Sequence, residues 1–513
     1  MLSIDAPGPA LAPPPASFNM AQHVLAAGLS HPDKLALRIA GATDVQDWTY
    51  GEITRAVRGI AAGLRAQDVV EGDLVLLRLG NTVEFPLAFL GAIAAGLVPV
   101  PTAATLTRLE ISKMAADISP ALIIASDGIE LPAPLRCPVI HEGDLHSYAK
   151  AAPAPFQMGA PERPGYAVYT SGTSGRPRAV LHAHRAIWAR QMMWDGWYGL
   201  RPDDRLLHAG AFNWTYTLGT GLLDPWTRGA SAIIPAPGTK NEALPALLAH
   251  HDATIFAAVP GVYRQMLRAD MPAMPALRHG LSAGEKLAAP IRNAWHNATN
   301  TQIYEAFGMS ECSTFVSASP SRPAPDGALG FAQPGRKIAV VDDSDESTPI
   351  QARGEAGVLA VDANDPGLTL GYIGHPDETA KRFRAGWFLT GDRVTMDEAG
   401  AITYLGREDD MMNAGGFRVS PLEVEAAMSS HDSVIEAAAV ELPVKETASV
   451  IALFYVAAAS GADETQLEAH AKNTLADYKR PRMFIALESL PRGANNKLLR
   501  RALLDQWRAT QDS

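Results

Sequence analysis

Two cysteines in 513 residues, Cys137 and Cys312, are too few and too far apart for a disulfide framework, and neither has a neighbour at metal-ligand spacing. A reducing cytoplasm is the expected compartment. Long hydrophobic runs are also missing: the longest, Phe85 to Val100, falls short of the roughly 20 residues of a membrane helix and is broken by glycines and prolines. It reads as a buried helix followed by a strand. The N-terminal MLSIDAPGPALAPPPASF has no basic segment ahead of an apolar one, so it suits an extended strap or frayed tail rather than a signal peptide. Positive charge is in deficit, 44 Lys and Arg against 55 Asp and Glu, for a net charge of -11. That argues against a general nucleic-acid or anionic-membrane binder, while a local basic site could still hold a phosphorylated ligand.

What is present is an ordinary globular composition, 47% hydrophobic and 19% charged. The length exceeds the roughly 250 to 300 residues at which single cores stop growing, so more than one domain is expected. Short apolar runs alternate with helical stretches: Leu74 to Leu77, Ala121 to Ala125, Ala167 to Tyr169, Ala232 to Ile234 and Thr254 to Val259. The alternation predicts an α/β chain with largely parallel, doubly buried strands. After Tyr404 the chain turns polar and glycine-containing (GREDDMMNAGG). PLEVEAAMSS then opens a capped helix, and IEAAAVELPV and VIALFYVAA read as strands. The expected division is a large domain over residues 1–406, a hinge over 407–410 and a small α+β domain over 411–513.

The strongest local signal is Tyr169-Thr-Ser-Gly-Thr-Ser-Gly-Arg-Pro-Arg178, directly after an apolar pair. Hydroxyls and unhindered backbone N–H groups can wrap polyphosphate oxygens, with Gly172 and Gly175 permitting close approach and Arg178 supplying charge. The spacing is not that of a Walker A loop. A plain Ser/Gly surface loop is the competing explanation.

That loop resembles the phosphate loop of the adenylate-forming superfamily, which includes acyl- and aryl-CoA synthetases, adenylation domains and luciferases. Five further motifs match in order: Ser282-Ala-Gly-Glu-Lys286, Glu305-Ala-Phe-Gly-Met-Ser-Glu311, Thr390-Gly-Asp392, Gly406-Arg-Glu-Asp409 with the hairpin Asn413 to Pro421 behind it, and Pro491 to Lys497. Benzoate and chlorobenzoate:CoA ligases and medium-chain acyl-CoA synthetases are the members it resembles most.

The resemblance implies a large domain of parallel-rich sheets covered by helices, a small mobile C-terminal domain, and ATP, Mg²⁺ and coenzyme A as substrates and activating ion. It places Thr170, Ser171, Gly172, Thr173, Ser174, Gly175 and Arg178 on the phosphates and Gly284 and Glu285 beside the adenine. Phe307 would stack on the base and Glu305 accept from its amine. Asp392 and Arg407 would hold the ribose. Ser310 would reach the α-phosphate, Glu311 would bind Mg²⁺, and Lys497 would join carboxylate to α-phosphate. Asp409 would be the hinge. Gly416, Arg480 and Arg482 would serve coenzyme A, with ordinary surface charge the competing explanation for the arginines. Phe212, Trp214, Tyr216, Ala257, Ala283 and Met309 would line the acyl pocket. Arg178 stands where lysine is usual, Asn496 where many members have glycine, and VKETASVIALF lacks a usual glycine.

The expected reaction is adenylation of a carboxylic acid followed by transfer to coenzyme A. Loading of a carrier protein is the alternative acceptor. The acid should be uncharged in its tail, because Phe212-Asn213 has no acid nearby to pair a substrate ammonium. A benzoate-type ring or a short to medium aliphatic chain meets that condition.

Overall fold

The computed structural model describes residues 1–41, 44–170, 177–407, 410–414, 417–445, 448–458, 461–493 and 498–511. Packing divides the chain into a larger unit, Ile4–Ile338 with Val361–Phe388, and a smaller one, Met1–Ser3, Ala339–Ala360 and Leu389–Ser513. The expected hinge at 407–410 lies inside the second of these, so Thr390, Asp392 and Arg407 group by packing with the C-terminal residues. Residues 408 and 409 lie outside the described chain.

The larger unit is organised by a nine-stranded sheet whose inner strands run parallel: Ile303–Met309, His279–Ala283, Ile255–Ala258, Arg205–His208, Ser231–Pro235 and Leu35–Ala40. Their apolar runs are buried on both faces, as parallel strands require when crossover helices cover both sides. Antiparallel partners close the two ends, Ser313–Ser317 followed by Phe331–Ala332 at one and Val45–Thr49 at the other. A second sheet, Val98–Pro101, Leu74–Arg78, Leu122–Ala125 and Val139–His141, is entirely parallel. Phe85 to Val100 is indeed a buried helix, Glu84–Ala95, followed by a strand. The helix is apolar on every face because sheet and helices surround it, and Gly96 ends it at φ 89°. A third, antiparallel sheet joins Pro164–Thr170, Arg178–Ala183 and Gly371–Tyr372. The N-terminal strap is tied down: Phe18 pairs with Gly159, and the Asn19 side chain accepts from Ala21 N–H and donates to the Ile93 and Gln157 carbonyls.

In the smaller unit, strand Val434–Lys445 pairs antiparallel with Ala448–Ala457, which pairs parallel with Met483–Ala486. Period-two alternation sends Ala439, Ile451, Leu453 and Tyr455 to one face, against Val424 and Met428 of helix Pro421–Met428. Ala438, Val440, Ala452 and Phe454 go to the other, against Leu503 of helix Arg500–Gln511. Both faces are covered, which explains the unbroken apolar run in VIALFYV. Ser420 stands at the N-cap of Pro421–Met428, but its hydroxyl donates to the Leu405 carbonyl instead of capping the helix.

Candidate active site

The parallel strands of the larger unit deliver their carboxyl ends to one edge, where open α/β sheets bind ligands. Glu305 is centrally placed in Ile303–Met309, opposite Ser282, and is 4% exposed. Its Oε1 accepts from Leu287 N–H at 3.0 Å and its Oε2 from Arg292 at 3.2 Å. Burial pushes the carboxyl up to about 7, against the opposing pull of the Leu287 N–H and Arg292. The carboxylate therefore fixes the Gly284-Glu285-Lys286 turn from below, and each oxygen keeps a second lone pair. Gly284 has φ 93°, and a Cβ there would stand 2.9 Å from the Trp214 ring, so only glycine fits this turn.

A three-residue tip carries the next two expected residues. Met309 pairs with Ser313, leaving Ser310, Glu311 and Cys312 to close the hairpin between Ile303–Met309 and Ser313–Ser317. The ladder slips at Phe307/Gly308, where a Cβ on Gly308 would lie 2.2 Å from the Ser313 carbonyl oxygen, and Ser313 takes φ 63°. Glu311 at the tip is 6% exposed. Tyr372 donates its phenol to Glu311 Oε1 at 2.7 Å, and Thr369 N–H donates to the Glu311 carbonyl. Burial, and then the neighbouring carboxylate, push the Tyr372 phenol up, so it remains a donor. The Ser310 carbonyl receives a hydrogen bond from His182 Nε2 at 2.7 Å. Phe307 meets Phe315 edge-on at 5.5 Å.

Among the described residues no group of three or more His, Cys, Asp and Glu could hold a metal by itself. Mg²⁺ in nucleotide sites commonly takes one or two carboxylates and completes its shell with phosphate and water oxygens. Glu311 fits that demand: it is a hard donor, buried, with one oxygen pinned by Tyr372.

Thr170 ends its strand, and Ser171, Gly172, Thr173, Ser174 and Gly175 lie outside the described residues. Arg178 is bound in a fork to Glu378 at 2.7 and 2.8 Å, a pairing that holds its guanidinium above the usual range. Of the expected acyl pocket, Trp214, Tyr216, Ala257 and Ala283 come together in one apolar cluster. Trp214 meets Tyr216 edge-on at 5.5 Å, and the Tyr216 hydroxyl donates to the Leu281 carbonyl. Phe212 goes elsewhere, stacking on Phe85 at 5.1 Å in a different cluster. Met309 is half-buried at its strand end.

In the smaller unit Asp392 is 3% exposed and lies opposite Arg407 in the ladder between Trp387–Met396 and Ile402–Arg407. Tyr404 donates to its Oδ1 at 2.9 Å, and Arg407 stands 3.7 Å from its Oδ2. Arg480 and Arg482 both lean on Asp477 at 3.1 Å, and Arg480 also donates to the Leu475 carbonyl. Asp409, Gly416 and Lys497 lie outside the described residues. Sequence reading missed Tyr372, His182, Tyr404 and Arg292. No spacing signal announces them, since His182 and Tyr372 lie 128 and 61 residues from the residues they hold.

Comparison with known proteins bears on the same stretches. The family model "AMP-binding enzyme" matches residues 26–373, and that of the "AMP-binding enzyme C-terminal domain" residues 423–497. The benzoate–CoA ligase of Thauera aromatica is 29% identical, covering 89% of this chain and 90% of its own. The 3-hydroxybenzoate–CoA/4-hydroxybenzoate–CoA ligase of the same organism is 30% identical over 90% and 92%. The crystal structure of a benzoate CoA ligase from Burkholderia xenovorans LB400 superimposes with a TM-score of 0.86 at 28% identity, covering 95% of this chain and 100% of that one.

Proposed function

This chain belongs to the AMP-binding enzymes, and on that premise we propose that it is an ATP-dependent acid:CoA ligase. A carboxylate oxygen attacks the α-phosphorus of ATP, the bond to the bridging oxygen breaks, and pyrophosphate leaves with that oxygen. The thiol of coenzyme A then gives up its proton and attacks the acyl carbonyl, and AMP leaves. The observation that carries the reading is end-to-end correspondence with relatives named as CoA ligases, spanning about nine-tenths of both chains. The same correspondence favours coenzyme A over a carrier protein as acceptor.

The first step joins two anions, so fixed dipoles and cations must do most of the work. Glu311 would hold Mg²⁺ together with the phosphate oxygens, and the ion would neutralise charge on the triphosphate. Ser310, on the same hairpin tip, would donate to the α-phosphate, and Lys497 would bridge it to the carboxylate. Glu305 would keep the adenine-side turn in place, with Phe307 against the base. Asp392, oriented by Tyr404, would take the ribose hydroxyls, and Asp409 would let the small domain turn between steps. Coenzyme A would run past Gly416, with Arg480 and Arg482 exchanging Asp477 for its phosphates. Trp214, Tyr216, Ala257 and Ala283 would receive an uncharged aromatic or short to medium aliphatic tail.

We place the enzyme in the cytoplasm, a reading supported by two free cysteines. No described helix is long and apolar enough to cross a membrane. Acid-dependent formation of AMP and pyrophosphate, with thioester only when coenzyme A is added, is the expected result. AMP formation indifferent to every acid would overturn it.

A further inference from the structure

Glu311 takes hydrogen bonds from two residues of the segment 365–372: Thr369 N–H donates to its carbonyl and the Tyr372 phenol to its carboxylate. The carboxylate is therefore held only as firmly as this segment is held against the hairpin tip. The later part of the segment hangs on strand Arg178–Ala183, where Thr369 Oγ1 and Leu370 N–H both donate to the Leu181 carbonyl. The earlier part hangs on two arginines. Arg185 donates to the Pro366 and Leu368 carbonyls, and Arg336 donates from Nη1 to Asp365 Oδ1.

Arg336 also grips the hairpin. Its Nη2 donates to the Thr314 carbonyl at 3.3 Å, and its Nη1 lies 3.6 Å from the thiol of Cys312, the residue directly after Glu311. Both charges of the pair are out of water, with the Arg336 side chain 0% and that of Asp365 2% exposed. Gly367 N–H donates to Asp365 Oδ1 at 2.7 Å. A Cβ on Gly367 would stand 2.7 Å from Arg336 Nη1, so glycine leaves the guanidinium its place.

A buried pair of this kind is a poor source of stability. Taking two charges out of water costs about as much as their attraction returns, and well-packed apolar residues of similar volume commonly do as well or better. The buried Nε of Arg336 also has no acceptor among the described residues, a further cost. What the pair does supply is direction. A planar guanidinium fixes the relative placement of the groups it bonds, where apolar contacts would let them slide.

We propose that Arg336, locked to Asp365, is a positioning residue of the metal site: it ties the start of the segment 365–372 to the hairpin, so that Thr369 and Tyr372 meet Glu311 in one geometry. This rests on the reading of Glu311 as the Mg²⁺ ligand and adds a residue that touches neither metal nor substrate. Loosening it frees the carboxylate to move and weakens the metal, as losing an outer partner of a metal ligand does.

Two variants separate positioning from folding. Arg336→Met combined with Asp365→Leu removes both charges at similar volume, so thermal unfolding should stay within a few degrees of the wild type. Arg336→Lys keeps a charge beside Asp365 but lacks the fork that reaches Thr314 at the same time. In each, the Mg²⁺ concentration for half-maximal acid-dependent pyrophosphate release should rise about fivefold or more. Binding of Mn²⁺ to the ATP complex, followed by electron paramagnetic resonance without turnover, should weaken by a similar factor. A merely structural loss would reduce the amount of active enzyme, which lowers kcat and leaves both metal readings alone. Because Arg336 acts through the contacts to Glu311, the shift of Arg336→Lys combined with Tyr372→Phe should fall well short of the product of the single shifts. A folded variant with wild-type metal readings, or shifts that simply multiply, would overturn the proposal. Wild-type Mn²⁺ binding in Glu311→Gln would instead overturn the metal assignment on which it rests. No pyrophosphate release with any acid would count against the ligase reading, while the Mn²⁺ measurement would still decide the role of Arg336.

Discussion

Glu311 and Arg178 both belong to the phosphate end of the proposed site, yet the larger unit holds them in opposite ways. The Glu311 carboxylate is buried at a hairpin tip, with one oxygen fixed by Tyr372 and its backbone carbonyl by Thr369. The Arg178 guanidinium lies nearer the surface, in an ion pair whose partner Glu378 is 44% exposed. Burial makes the first contact preorganised and costly to alter. Water makes the second cheap to exchange, so a phosphate can replace Glu378 at little loss. The contrast suggests that one group sets the geometry of the reaction and the other adapts to it.

Removing the preorganised group should have the largest effect. Glu311→Ala should lower acid-dependent pyrophosphate formation about a thousandfold, while acyl transfer from supplied acyl-adenylate to coenzyme A is largely kept. Equal loss in both half-reactions would make Glu311 a structural residue.

Glu305 extends the comparison to a buried carboxylate without an assigned metal. Its folded pKa of about 7 is raised above the ordinary 4.5. The group therefore contributes stability below about 4.5 and loses that contribution as pH rises to 7. At about 1.4 kcal/mol per unit this amounts to about 3 kcal/mol. Urea unfolding at pH 5 and pH 7.5 should show a loss of this order in the wild type that is absent in Glu305→Gln. An identical pH dependence in both would mean that Glu305 is ionised throughout.

Tyr372→Phe removes the hydrogen bond that orients Glu311, together with the phenol's contact with Arg382, and partners of metal ligands are commonly worth about tenfold or more in metal affinity. The Mg²⁺ concentration for half-maximal pyrophosphate release should rise about tenfold, with the KM for the acid unchanged. Binding of Mn²⁺ to the ATP complex, followed by electron paramagnetic resonance, should weaken in parallel. An unchanged metal requirement would uncouple Tyr372 from the metal.

The smallest effect belongs to the exposed pair. Glu378→Gln frees Arg178 from a contact worth under about 1 kcal/mol, so the KM for ATP should fall no more than about threefold, and less at high salt. A tenfold or larger change would show that Arg178 is as tightly committed as Glu311.

Much of this was legible in the sequence because the signals are local. Apolar runs of four to seven residues mark the parallel strands, and Gly284 marks a turn that only glycine can make. The FNWTY segment shows where local reading fails. Five adjacent residues look like one pocket wall, yet Phe212 turns to stack on Phe85 while Trp214 and Tyr216 face Ala257 and Ala283. The side chains diverge where the chain turns into the π-helical stretch Thr217–Leu223.

By itself the sequence determined the strand and helix pattern, the family motifs and which residues carry charge or hydroxyls at each motif. Only the tertiary structure decided which of those groups are held, by what, and with how much freedom. Tyr372 reaches Glu311 from 61 residues away and His182 reaches Ser310 from 128. Such pairings are made by sheet edges brought together in folding, and burial then sets protonation and orientation. Neither effect has a trace in residue spacing.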